Sequence, residues 1–162
     1  MSAVSPDHAK LIRQLETIAS LSEADCLSLA ALPFRLKSIS ENRDIVREGD
    51  RPNESCLILE GLACRYKIVA GGRRQILSFH FPGDMPDLQS LYLDTMDHSI
   101  AALAPTRVAF IAHDALNRMT ALLPSVGRVL AKHALVDGSI FAGMGCERRA
   151  ATRAGADCAC HM

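Results

Sequence analysis

The sequence carries no net charge: 18 Lys and Arg are balanced by 18 Asp and Glu. A free-standing nucleic-acid binder is normally basic, so the balance argues against that class. It leaves room for a protein whose DNA-binding module is missing. No segment approaches the roughly 18 to 20 uninterrupted apolar residues that span a bilayer, so no membrane role is expected. Met1-Ser-Ala-Val-Ser-Pro-Asp-His8 lacks a basic start followed by an apolar run, so no export signal is read there. A cytoplasmic location is expected, with the six cysteines as reduced thiols. Enzyme signatures are missing too. There is no Gly-x-Ser-x-Gly, no P-loop and no His-x-His; His80, His98 and His113 stand alone. A non-enzyme is expected, with a cupin-type metal-binding protein as the weaker alternative.

What is present is enough apolar residue, 49% of 162, for one core of ordinary size. Residues 1–32 read as two helices. Leu11, Ile12, Leu15 and Ile18 fall at helical spacing behind Ser5-Pro6, and Ser22 reads as an N-cap with Asp25 three residues on. From 33 to 112 the texture becomes short alternating strands between turn signals. Ala70-Gly71-Gly72 marks a hairpin between Leu62–Val69 and Arg73–Phe81, and Phe81-Pro-Gly-Asp84 marks another turn. Many short strands at regular spacing predict an antiparallel sandwich or jelly roll.

Helix returns over 113–141. His113-Asp114 opens a short one, and Pro124 suits the first position of a longer one. Val126, Val129, Leu130, His133, Val136 and Ile140 form a stripe of near-heptad spacing on it. The stripe must be covered, either by the chain's own sheet or by a second copy of the helix, and the family resemblance described below implies the second, a homodimer. Over 142–162 the pattern fails, with no apolar period and much Gly and Ala, and the segment reads as a disordered tail.

The order of these elements resembles the cyclic-nucleotide-binding domain of the Crp/Fnr superfamily of transcription regulators. So do Val46-Arg-Glu-Gly49-Asp50 followed by Cys56-Leu-Ile-Leu-Glu-Gly61, and Phe79-His-Phe-Pro-Gly83-Asp84. The resemblance covers about residues 8 to 141. It implies an α+β fold: N-terminal helices, an antiparallel β-roll and a long C-terminal dimerisation helix. It further implies a small-molecule effector pocket at Gly83, Asp84, Met85, Asp87, His98 and Ser99. In cyclic-nucleotide binders of the family a Glu takes the ribose hydroxyl and an Arg pairs with the phosphate. Here Asp84 and His98-Ser99 occupy those places, and no arginine occurs between Arg74 and Arg107. Imidazole does not replace a bidentate guanidinium, and Asp87, Asp94 and Asp97 add negative charge. Weak or absent binding of cAMP and cGMP is therefore expected.

The resemblance also implies a helix-turn-helix after the long helix, and one Crp/Fnr branch continues Ser-Ile-Phe with Arg-Glu-Trp. This chain has Ser139-Ile140-Phe141 and then departs. Met144-Gly145 is encoded ATG-GGN, so a one-nucleotide shift reads TGG, which is Trp. Residues 142–162 are thus expected to be a frameshifted remnant. DNA would be reached only through the missing helix-turn-helix. Cys146, Cys158, Cys160 and His161 would then be accidents of translation, and no second ligand pair completes a zinc site. Cys26, Cys56 and Cys64 lack the close spacing of an iron–sulfur sensor and read as structural thiols. Arg65, Lys67, Arg73 and Arg74 surround the Gly71-Gly72 hairpin. They read as a solvated, charged sheet edge, with binding to RNA polymerase or a phosphate as the alternative.

Overall fold

The computed structural model describes residues 4–137. Helix α1 (Pro6–Glu16) starts where expected: the Ser5 side chain accepts from the His8 N–H, and Pro6 needs no partner at the first turn. Helix α2 (Glu23–Ala30) opens on a full capping box, with Ser22 Oγ and the Asp25 carboxylate each accepting the other's backbone N–H. The second oxygen of that carboxylate accepts from the Ser125 hydroxyl at 2.7 Å. Asp25 therefore caps one helix and moors the start of another 100 residues away.

Seven antiparallel strands follow: β1 (Arg35–Ile39), β2 (Asp44–Val46), β3 (Glu54–Glu60), β4 (Ala63–Val69), β5 (Arg73–His80), β6 (Ser99–Ala102) and β7 (Thr106–Ala112). They form a three-stranded sheet in the order β1-β7-β3 and a four-stranded sheet in the order β2-β6-β4-β5. Strand β6 is not among the strands expected from sequence. A short 3-10 turn lies at Leu88–Leu91, and helices α3 (His113–Leu122) and α4 (124–137) close the described chain.

The period of two in β3 and β7 builds two cores. Leu57, Leu59, Ala109 and Ile111 face the helices, where they meet Leu11, Leu15, Leu116, Val126 and Leu130. Cys56, Ile58, Val108 and Phe110 point the other way, into the roll, against Val46, Ile100 and Ala102. A sheet covered on both faces reads as nearly continuous apolar sequence, as Cys56-Leu-Ile-Leu does. Arg107 on β7 clamps α1 to this sheet, with two hydrogen bonds to the Asp7 carboxylate at 2.9 Å and two to Glu60 Oε1 at 2.8 and 3.2 Å.

The expected self-pairing stripe is largely covered within the chain. Val126, Val129, Leu130 and His133 are buried, the first three in the core shared with α1, α2 and β3. Near-heptad spacing marks an apolar face without naming what covers it; here the chain's own sheet and helices take most of it. Val136 stays 49% exposed next to Leu135 at 72%. Ile140 lies outside the described residues, as do Cys146, Cys158, Cys160, His161 and the whole segment read as frameshifted.

Two glycines with positive φ separate strain from crowding. At Gly61 (φ 94°) an added Cβ would lie 2.5 Å from the Pro105 carbonyl oxygen; at Gly72 (φ 72°) it would meet open space. Gly72→Ala should cost about 1 kcal/mol, from backbone strain alone. Gly61→Ala should cost more than about 2 kcal/mol, because backbone must also move. Urea unfolding of both variants checks this, and equal losses would contradict it.

Candidate functional site

A cavity of about 620 Å³ lies where the four-stranded sheet meets α1 and α4. Gln14 of α1, with Thr17 and Ile18 just beyond it, forms one wall. Arg65 and Leu77–His80 come from the β4–β5 hairpin, Asp84 and Met85 from the turn after β5, and Lys132, His133, Val136 and Asp137 from α4. Every part of the fold that the resemblance couples, the roll, its cassette and the C-terminal helix, thus contributes to one space.

Of the six residues expected to line the pocket, the cavity takes in Asp84 and Met85. Gly83 makes the turn, at φ 103°, and its N–H donates to the Ile58 carbonyl at 2.8 Å. The Asp84 carboxylate accepts from the Phe81 N–H at 2.8 Å and sits 3.7 Å from the His80 ring. Burial pushes its pKa up, but the His80 ring and that N–H outweigh it and hold the carboxyl below its ordinary value. Asp87 is fully buried and does not line the cavity. One oxygen accepts from the Cys56 N–H at 2.7 Å, and the other has no protein partner. Burial raises its pKa to about 7. It is thus a sequestered acid rather than the open negative charge expected from the sequence.

His98 and Ser99 are also committed elsewhere. His98 Nδ1 meets the Asp97 carboxylate at 2.6 Å, and the Ser99 hydroxyl accepts from the Glu48 N–H at 2.9 Å. Burial, then the nearby Arg65 charge, lowers the His98 pKa to about 4. At neutral pH this imidazole is uncharged and cannot stand in for a phosphate-binding arginine.

The side chain that the sequence pattern misplaces is Arg65. The pattern puts it at a solvated hairpin edge; it is 1% exposed. Along β4, Ala63 points into the roll core, while Cys64 and Tyr66 pack on the opposite face with Ala101. Alternation puts Arg65 on the side of Ala63, and an irregularity in pairing to β5 falls between Arg65 and Tyr66, a device that re-aims side chains. Its Nη2 donates to the Pro86 carbonyl at 2.5 Å and to the Asp137 carboxylate of α4. The alternation around Ala63 is the available signal, obscured by the neighbouring basic residues. Arg73 and Arg74 are exposed as expected, with Arg74 stacked 3.9 Å above the Tyr66 ring.

Cys56 and Cys64 are fully buried, in different clusters, and burial raises both thiols. Among the described residues no group of three or more His, Cys, Asp or Glu is placed to hold a metal ion, and no helix is long and apolar enough to cross a membrane.

The two sheets, their flanking helices and the cavity at their junction define a β-roll module of the cyclic-nucleotide-binding architecture. The chain belongs to the cyclic nucleotide-binding domain family, which matches residues 36–121, and within it to the Crp/Fnr type. It is 25% identical over 111 residues to the transcriptional activator protein FnrA of Stutzerimonas stutzeri, covering 68% of this chain and 46% of that one. The chain thus spans about half the length of that curated relative. Among solved structures it is similar to a cyclic nucleotide-binding domain from Methylobacillus flagellatus, with TM-score 0.71 and 18% identity over 87% of this chain and 81% of that one. FixK2 from Bradyrhizobium japonicum gives TM-score 0.63 and 23% identity over 69% and 56%.

Asp87 supplies a test by pH. Its folded pKa, about 7, lies above the ordinary 3.8, so the protonated acid belongs to the folded state. That stabilisation is complete below pH 3.8 and is lost as pH rises through 7. Asp87→Asn keeps an acceptor for the Cys56 N–H and cannot ionise. Its Tm should exceed that of the parent at pH 8, and the gap should close towards pH 4. A gap independent of pH would contradict the assignment.

Proposed function

We propose that this chain is the effector-sensing and dimerisation part of a Crp/Fnr-type transcription regulator, and that its effector is neither cAMP nor cGMP. The observation that carries this reading is the cavity at the junction of roll and α4, with Arg65 joining the two. A ligand there touches the hairpin, the turn after β5 and the helix at once. Differential binding to α4 in two states is what allosteric output requires. The His98 ring, neutral and tied to Asp97, argues against a phosphate at the family's arginine position.

The partner we propose for output is a second copy of the chain. Leu135 and Val136 carry the exposed apolar surface of α4, and Phe79 on edge strand β5 is 53% exposed. Binding to DNA, and to RNA polymerase, would depend on residues beyond those described. The nucleotide sequence decides whether 142–162 is a frameshifted remnant: the shifted frame should encode a helix-turn-helix. A purely structural dimer with a dead pocket is the second reading. It is favoured by the way Arg65 is already neutralised within the chain.

Calorimetry on the full chain should show no binding of cAMP or cGMP tighter than about millimolar. A micromolar constant would overturn the case made from His98. Sedimentation should give a dimer that Leu135→Asp shifts at least tenfold towards monomer. A parent chain that stays monomeric at high concentration would refute the pairing.

A further inference from the structure

We propose that Asp137 is an internal stand-in for the carboxylate of an amphipathic organic acid, which takes its place on Arg65 and releases the end of α4 from the roll. The proposal rests on the sensing function above and names the chemical class of the effector.

Arg65 is the starting point. A guanidinium at 1% exposure needs an anion, and Asp137 supplies it. The pairing leaves the fork only half used. Asp137 and the Pro86 carbonyl both bind Nη2, while Nε has no protein partner and is fully buried. A free carboxylate lying along the Nε–Nη2 edge would engage both nitrogens, the stronger bidentate arrangement. Asp137 reaches in from the last described turn of α4, and its own side chain remains 22% exposed. It is therefore an anion that can leave.

Exchange follows from charge. The other carboxylate in the cavity, Asp84, is held by the Phe81 N–H and the His80 ring. An incoming anion that left Asp137 in place would crowd two carboxylates on one guanidinium. Displacing Asp137 keeps the local balance and swings a charged residue of α4 into water. The rest of the cavity selects the body of the ligand. Ile18, Leu77, Phe79 and Met85 give it an apolar wall, and about 620 Å³ suits a molecule larger than acetate.

The test is calorimetry on the full chain with three probes: hexanoate, acetate with the same head and no tail, and hexanol with the tail and no charge. Hexanoate should bind at least tenfold tighter than acetate, and hexanol should not bind. Asp137→Asn removes the internal competitor and should tighten hexanoate at least tenfold. Arg65→Lys, which keeps the charge and loses the fork, should weaken it at least tenfold. If the lysine variant does not fold, the Asp137→Asn comparison decides alone. Equal binding of hexanoate by Asp137→Asn and the parent overturns the exchange. A neutral metabolite that binds the parent and accelerates hydrogen exchange in α4 overturns it too, while leaving the sensing function standing. No binding of any probe or metabolite by either chain removes both.

Discussion

A single buried cation organises the junction on which function would depend. Placing the Arg65 guanidinium out of water is costly unless its charge and donors are met. The fold meets them with the Pro86 carbonyl after β5 and the Asp137 carboxylate of α4. Strand, cassette and helix are thereby fastened at one point. Near the other end of α4, Asp25 holds Ser125 while its two hydrogen bonds with Ser22 cap α2. Between these moorings the helix buries Val126, Val129 and Leu130. The apolar seam is the larger source of stability, but it is not switchable by a ligand. The ion pair at the end is.

The same cluster bears on the proposal that cAMP and cGMP are not its effectors. Arg65 lowers the proton affinity of His98, which burial already lowers, so the residue at the family's arginine position is a neutral ring. Asp87, fully buried with one oxygen on the Cys56 N–H, is pushed towards the protonated state. The buried positive charge at the junction is Arg65 on β4, not a residue at the start of β6.

How much of this is legible in the sequence depends on how local each signal is. The Ser22–Asp25 capping box and the Gly71-Gly72 turn involve residues within a few positions of each other, and both are where the sequence places them. Strand β6 escapes notice because Ser99-Ile-Ala-Ala is short, small and adjacent to the expected cassette. The stripe on α4 reads correctly as an apolar face, but periodicity does not say what lies opposite, and most of it is covered within the chain. Arg65 is least legible. Its partner lies 72 residues away, and a lone basic residue in a basic hairpin looks like surface until alternation around Ala63 is taken seriously. Asp84 and Met85 can be found because the Pro-Gly turn that presents them is local, whereas the α4 side of the cavity needs the fold.

The central claim is that the Arg65–Asp137 pair fastens the end of α4 to the roll. Hydrogen exchange on Asp137→Asn measures it most directly. Amides of residues 129–136 should exchange at least tenfold faster than in the parent, while those of β3 and β7 keep their rates. Unchanged protection along α4, or equal loosening of helix and sheets, would contradict the account.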